Sequence, residues 1–276
     1  MTVRIAQISD AHLSPTRPYF NENFALAQQS VRDMKPDLLL ATGDLSLDGA
    51  DSDEDLAHGV AAHAEIGVEW LSIPGNHDVG DEAVLGGKQP VNAERIARWN
   101  RLAGPSAWVH DIPGWRLIGL DTQSLSLGTQ WETIERGIRD AGARRIAMIQ
   151  HKPMAEQRLD DTAINYWPVL PELRAHLLGL FRGALPALVI SGHIHQWRDR
   201  QVDGIRQVWG PSTGFVVGDG FQETMGNKLV GWVEHAFHAD GTHDARLRAI
   251  EGLRLHDIKT MPEIYGAQKK VAEAAQ

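Results

Sequence analysis

Six short, mostly apolar runs punctuate the first two thirds of the chain, at 3–9, 37–42, 68–73, 115–120, 145–150 and 187–191. Each is bounded by polar residues or by Gly/Pro breaks, and each has the length of a buried strand. Between them, 24–34, 53–66, 91–102, 130–141 and 171–181 mix polar and apolar positions in the manner of helices. Strand and helix in alternation predict βαβ units, in which parallel strands are covered by helices on both faces. After His195 the pattern changes. "DRQVDGIRQVWG", "FVVGDG" and "LVGWVEHAFHADGTHDARLRAI" carry no long helix and several Asp-Gly turn signals, which predicts hairpins in a second, more antiparallel sheet packed beside the first. The expected organisation is one domain over 1–260, with 261–276 as a C-terminal helix or tail. The Gly-rich segment 79–90 lacks an apolar period and is expected to be a flap over whatever site the strands present.

Composition narrows the class of molecule. Hydrophobic residues make up 42% and charged residues 23% of the 276, ordinary proportions for a folded globular domain. The formal net charge of -9 gives no field to attract duplex nucleic acid or an anionic membrane, so a phosphate-binding site would need a local source of positive charge. With no cysteine, disulfides, thiolate metal sites and cysteine nucleophiles are all excluded. No apolar stretch approaches the roughly 18 residues of a membrane span. "MTVRIAQISD" enters an alternating apolar run without the basic and apolar regions of a signal peptide, so the cytoplasm is the expected location.

The chemistry-bearing residues fall at the ends of the strands. "ISDAH" supplies Asp10 and His12, "ATGD" Asp44, "PGNHD" Asn76, His77 and Asp78, "MIQH" His151, and "SGHIH" His193 and His195. In an open α/β sheet the carboxyl ends of parallel strands converge on one crevice, so groups far apart in sequence can meet there. In an extended segment, residues two apart face the same side. Asp10 with His12, and His193 with His195, would then originate roughly 6 to 7 Å apart, which suits a pair of metal ions. Asp10, His12, Asp44, Asn76, His151, His193 and His195 exceed the four to six ligands that one borderline metal accepts, whereas two ions sharing a bridging carboxylate, expected at Asp44, would use them all. A mixed imidazole and oxygen set suits manganese, iron, zinc or cobalt. The other eight of the 13 histidines have no such setting and are expected to be structural or solvated.

The ordered series Asp10-x-His12, Gly43-Asp44, Gly75-Asn76-His77-Asp78, His151 and Gly192-His193-Ile194-His195 resembles the calcineurin-like metallophosphoesterases. The resemblance implies an α/β fold, a four-layer α/β/β/α sandwich of two mixed sheets flanked by helices. It implies that Asp10, His12, Asp44 and His195 hold one ion, and Asp44, Asn76, His151 and His193 the other. His77 would be a catalytic residue beside the metals; apart from the resemblance, its neighbour Asp78 is expected to orient it. The opening "QISDAHL", "SGHIH" and the segment "LDDTAINYW" are similar to the bacterial cyclic-nucleotide and glycerophosphodiester phosphodiesterases of the family, which places Asn165 near the substrate. Trp167 could wall the pocket or stack a nucleobase. The sequence departs from the family pattern at Leu47-Asp48-Gly49. It lacks the arginine that follows this stretch in the protein phosphatases, and it has Lys152 where the diesterases often carry a histidine.

The activity this implies is hydrolysis of a small phosphodiester by a hydroxide held between two divalent or trivalent ions, His77 protonating the leaving oxygen. A phosphomonoesterase or nucleotidase on the same metals is the alternative, and a non-catalytic scaffold of the same fold a more remote one. The expected partner is a small-molecule phosphoester, with neither duplex nucleic acid nor membrane. Strand edges after His195 could form the interface of a homo-oligomer.

Overall fold

All six apolar runs form strands, but not in one sheet. In this computed structural model, which describes residues 1–265, the strands in chain order are β1 (Thr2–Ile8), β2 (Leu38–Thr42), β3 (Trp70–Ile73), β4 (Trp108–Ile112), β5 (Trp115–Gly119), β6 (Arg145–Ile149), β7 (Leu188–Ser191), β8 (Arg198–Val202), β9 (Ile205–Trp209), β10 (Phe215–Val216), β11 (Trp232–His238), β12 (His243–Arg248) and β13 (His256–Asp257). The helices are α1 (Asn21–Met34), α2 (Asp53–Ala64), α3 (Asn76–Val79), α4 (Ala93–Leu102), α5 (Trp131–Arg139), α6 (Pro171–Gly179) and α7 (Pro262–Tyr265). One sheet has the order β12-β11-β1-β2-β3 and the other β4-β5-β6-β7-β9-β8, with β10 and β13 as a separate short pair.

The expected second, antiparallel sheet does not exist as such. The hairpin β8-β9 joins the sheet of β5, β6 and β7, with β9 parallel to β7; the hairpin β11-β12 joins the sheet of β1, β2 and β3 through an antiparallel pairing of β11 with β1. The turn signal holds between β8 and β9, where Asp203 and Gly204 take φ of 45° and 91°, the positive pair of a two-residue hairpin turn, whereas "FVVGDG" makes no hairpin because β10 pairs in parallel with β13. Sheet membership depends on non-local pairings, β9 with β7 (Leu188 opposite Arg206) and β11 with β1 (Thr2 opposite His238), about which local pattern says nothing. Strand β4 was missed because it is an edge strand, alternating between half-buried and exposed residues.

Packing follows from strands that are apolar on both faces. Ile5, Leu38 and Leu40 of one sheet meet Leu117, Ile149, Ile190 and Val208 of the other in the central core. The alternate residues face outward: Ala6 and Leu39 pack with Phe24 and Val31 of α1, while Ile118, Met148 and Val189 pack with Ile134 of α5 and Leu177 of α6. Each buried aliphatic side chain contributes about 1.5–3 kcal/mol. The result is the four-layer α/β/β/α order. Helix boundaries carry their own signals: the Ser52 hydroxyl accepts from Asp55 N at the start of α2, and Pro171 opens α6.

The segment 79–90 is not a flap over the site. It closes on itself through Asp81 N to Gln89 O (2.8 Å) and Val91 N to Asp81 O (2.7 Å), and Glu82 is buried against Ser126. Of the expected C-terminal helix or tail, Pro262–Tyr265 forms one helical turn with Ile264 in an apolar cluster beside Phe20, Leu47 and Phe215, and 266–276 lie outside the described residues. No described helix is long and apolar enough to cross a membrane.

Candidate metal centre

The carboxyl ends of β1, β2, β3, β6 and β7 point to one end of the sandwich, and the loops that follow them run side by side. Asp10 N donates to Gly43 O, His12 N to Asp44 O, and Gly192 N to His151 O. These loops approach so closely that a Cβ on Gly75 would strike the Asp44 carboxylate, and one on Gly192 would strike Ser9 and Asp10. The glycine of each motif is therefore a packing requirement.

Asp10, His12, Asp44 and His195 bring one ligand atom each within 4.8 Å of one another, and Asp44, His151 and His193 form a second group on the same terms. All are buried. Asp44 belongs to both groups. Asn76 joins the second, its Oδ1 3.3 Å from His151 Nε2. The seven residues expected as ligands are thus brought together, but not by the extended pairing that spacing suggested. The strands end before the ligands begin, and Asp10, His12, Asp44, His193 and His195 adopt left-handed φ between 49° and 66°. Non-glycine residues seldom take this conformation, and its concentration here marks backbone strained to aim side chains.

The donor set fits cations. The outer nitrogens Nδ1 of His151 and His195 lie 2.7 and 2.8 Å from the carbonyls of Thr42 and Phe215, so in neutral rings those nitrogens carry the proton and Nε2 presents a lone pair inward. There His195 Nε2 meets Asp10 Oδ1 at 3.2 Å and His12 Nε2 at 3.3 Å, while His151 Nε2 meets Asp44 Oδ2 at 3.3 Å. Acceptor facing acceptor in a buried space is unfavourable unless a cation or a proton lies between. Burial pushes His12 and His193 well below the ordinary histidine range, the neutral state that a ligand needs. Burial also opposes ionisation of Asp44, yet the neighbouring His151 and His77 hold its carboxyl well below the usual range.

His77 sits at the rim, its ring 4.7 Å from that of His12 and its backbone N–H donating to Asp44 Oδ1 at 2.8 Å. The expectation that Asp78 orients the His77 ring is not met. The Asp78 carboxylate accepts from Leu45 N, Ser46 N, Ser46 Oγ and Gly75 N, and it is Leu47 O, 3.2 Å from Nδ1, that holds His77. The departure at Leu47-Asp48 also finds its reason: Leu47 is core, and Asp48 pairs with Arg17 and Gln89. Lys152 is buried, and its ammonium pairs with Asp81 at 2.8 Å.

A cavity of about 890 Å³ opens above the centre. Its lining includes His77, Asn165 and Trp167, as expected, and also Tyr166, Phe215, Phe221, Tyr265, Glu156 and Glu223, which sequence reasoning missed. Asn165 Nδ2 donates to Glu156 Oε2 at 2.6 Å. Burial, with Glu223 and Asp161 nearby, raises Glu156 to about 7. No lysine or arginine lines the cavity among the described residues.

Two facing mixed sheets, with a buried carboxylate and imidazole centre at the ends of their parallel strands, define a metal-binding α/β/β/α protein. The family model of calcineurin-like phosphoesterases matches residues 3–197, and the chain belongs to that family. It is 29% identical over 215 residues to the probable cyclic nucleotide phosphodiesterase syc0937_d of Synechococcus sp., covering 71% of this chain and 74% of that one. To the 3',5'-cyclic adenosine monophosphate phosphodiesterase CpdA of Escherichia coli it is 27% identical over 280 residues, 95% and 93% of the two chains. Among solved structures, the purple acid phosphatase PPD1 of yellow lupin superposes with a TM-score of 0.65 at 13% identity, over 93% of this chain and 53% of that one. GAP50 of Plasmodium superposes with a TM-score of 0.59 at 13% identity, over 92% and 86%. These likenesses are of fold.

Proposed function

We propose that the protein is a binuclear metal-dependent phosphodiesterase acting on a small diester of the cyclic-nucleotide or glycerophosphodiester kind. Asp10, His12, Asp44 and His195 hold one ion, and Asp44, Asn76, His151 and His193 the other. Bound there, two such ions would supply positive charge to the phosphoryl oxygens and would activate a water, in a chain whose net charge is -9. With Nδ1 tied to Leu47 O, a protonated His77 keeps Nε2–H for the departing ester oxygen. Trp167, Tyr166 and Phe221 give an apolar wall for the leaving group.

The observation that carries the diester reading is the charge of the cavity wall. A phosphomonoester dianion needs cationic donors around its extra oxygen; among the described residues the lining offers, besides Asp44 of the centre, the carboxylates of Glu156 and Glu223 and no lysine or arginine. A diester monoanion needs only the two ions and neutral walls for its ester arms. The relatives named as cyclic nucleotide phosphodiesterases support the same choice.

Paired turnover of bis(p-nitrophenyl) phosphate and p-nitrophenyl phosphate tests it, using metal-stripped protein reloaded with manganese and Asp44→Ala as the blank. The diester should be preferred by at least about tenfold in kcat/KM, a difference of about 1.4 kcal/mol in transition-state stabilisation. Preference for the monoester would refute the reading.

A further inference from the structure

The second nitrogen of each metal-facing ring decides which tautomer the ring adopts, and the partners of those nitrogens come from unequal parts of the molecule. His151 Nδ1 is held by Thr42 O, at the end of a central strand. His195 Nδ1 is held by Phe215 O, and Phe215 lies in β10, whose only strand partner among the described residues is β13 near the C-terminus. His12 Nδ1 lies 2.8 Å from the hydroxyl of Tyr265, 253 residues away. Tyr265 closes α7, lines the cavity and packs its ring 4.7 Å from His77. Ile264 anchors the same turn in the cluster of Phe20, Leu47 and Phe215.

We propose that Tyr265 is a positioning residue for one of the two metal ions, so that the C-terminal segment completes the site of Asp10, His12, Asp44 and His195 while the other site stands without it. The inference rests on the two-ion reading above. For His12 Nε2 to present a lone pair, Nδ1 must carry the proton, and Nδ1–H then donates to Tyr265 Oη. Without that acceptor the buried Nδ1–H has no partner, and the ring gains by moving its proton to Nε2, where it blocks the metal. The other centre has its own tyrosine. Tyr166 OH accepts from Asn76 Nδ2 at 3.2 Å, on a ligand of the second ion.

The test is titration of the metal-free full-length protein with manganese, read as stoichiometry and as two affinities, for the native chain, Tyr265→Phe and Tyr166→Phe. Electron paramagnetic resonance distinguishes a coupled ion pair from a single ion. Tyr265→Phe should weaken one of the two sites by roughly 10–100-fold, the size expected for loss of a partner behind a ligand, and leave the other unchanged. At intermediate manganese its spectrum should be that of a lone ion, with unfolding of the metal-free protein unaltered. Tyr166→Phe should not reproduce loss of that same site. Two unchanged affinities in Tyr265→Phe would overturn the proposal, as would equal weakening of both, or the same site lost in both variants. If the native chain itself binds fewer than two ions, the two-ion reading has failed before Tyr265 is at issue, and the proposal falls with it.

Discussion

At the scale of single residues, one departure from ordinary chemistry lies at the centre and another in the cavity wall above it. Left-handed backbone at Asp10, His12, Asp44, His193 and His195 costs on the order of 1–3 kcal/mol apiece, and a network of loop hydrogen bonds holds it in place. Aspartate and histidine are among the non-glycine residues that tolerate this conformation best, but residue type alone does not say which of them adopt it. The second feature is Glu156, raised to about 7 by burial and by Glu223 and Asp161. Below that pH it is protonated and neutral; as pH rises through 7 it ionises and adds negative charge to the cavity wall. Binding of an anionic diester should therefore weaken above neutrality, with KM rising several-fold between about pH 6 and 8, while Glu156→Gln holds KM level. Steady-state kinetics across that range decide the matter. An identical KM rise in Glu156→Gln would assign the effect elsewhere.

At the scale of elements, Asp78 ties the loop after β2 to the turn that opens α3. Its carboxylate takes hydrogen bonds from three backbone N–H groups and one hydroxyl in a fully buried position. Asp78→Ala strands those donors, each at about 1–3 kcal/mol. The metal-free protein should lose at least ~3 kcal/mol in urea denaturation, and a loss below ~1 kcal/mol would show that the loops hold without the clamp. The role expected from sequence was orientation of His77, an inference from adjacency; in a helical turn, successive side chains diverge. Most of the strands and helices were legible because parallel strands are apolar on both faces and their bounding breaks are sharp. The partition into two sheets was not legible, nor was β4, whose exposed alternation is that of an edge.

At the scale of the whole molecule, the two sheets divide the ligands between them. Loops of the first carry Asp10, His12, Asp44 and Asn76, and loops of the second carry His151, His193 and His195. Each proposed ion draws on both, so a loaded centre would also fasten the sandwich at its open end. The candidate series was legible because seven aspartate, asparagine and histidine residues stand in order just past strand ends. The surroundings were not: Tyr166, Phe215, Glu156 and Tyr265 are ordinary residues in irregular or late segments, and only the fold brings them to the cavity.

The claim on which the rest depends is that Asp44 lies between two ions. Anomalous diffraction from crystals of the manganese-loaded protein measures this directly. Two peaks about 3.5–4 Å apart, one beside His12 and His195 and the other beside His151 and His193, with Asp44 reaching both, are the predicted result. A single peak at full loading, or two peaks that do not share Asp44, would contradict it.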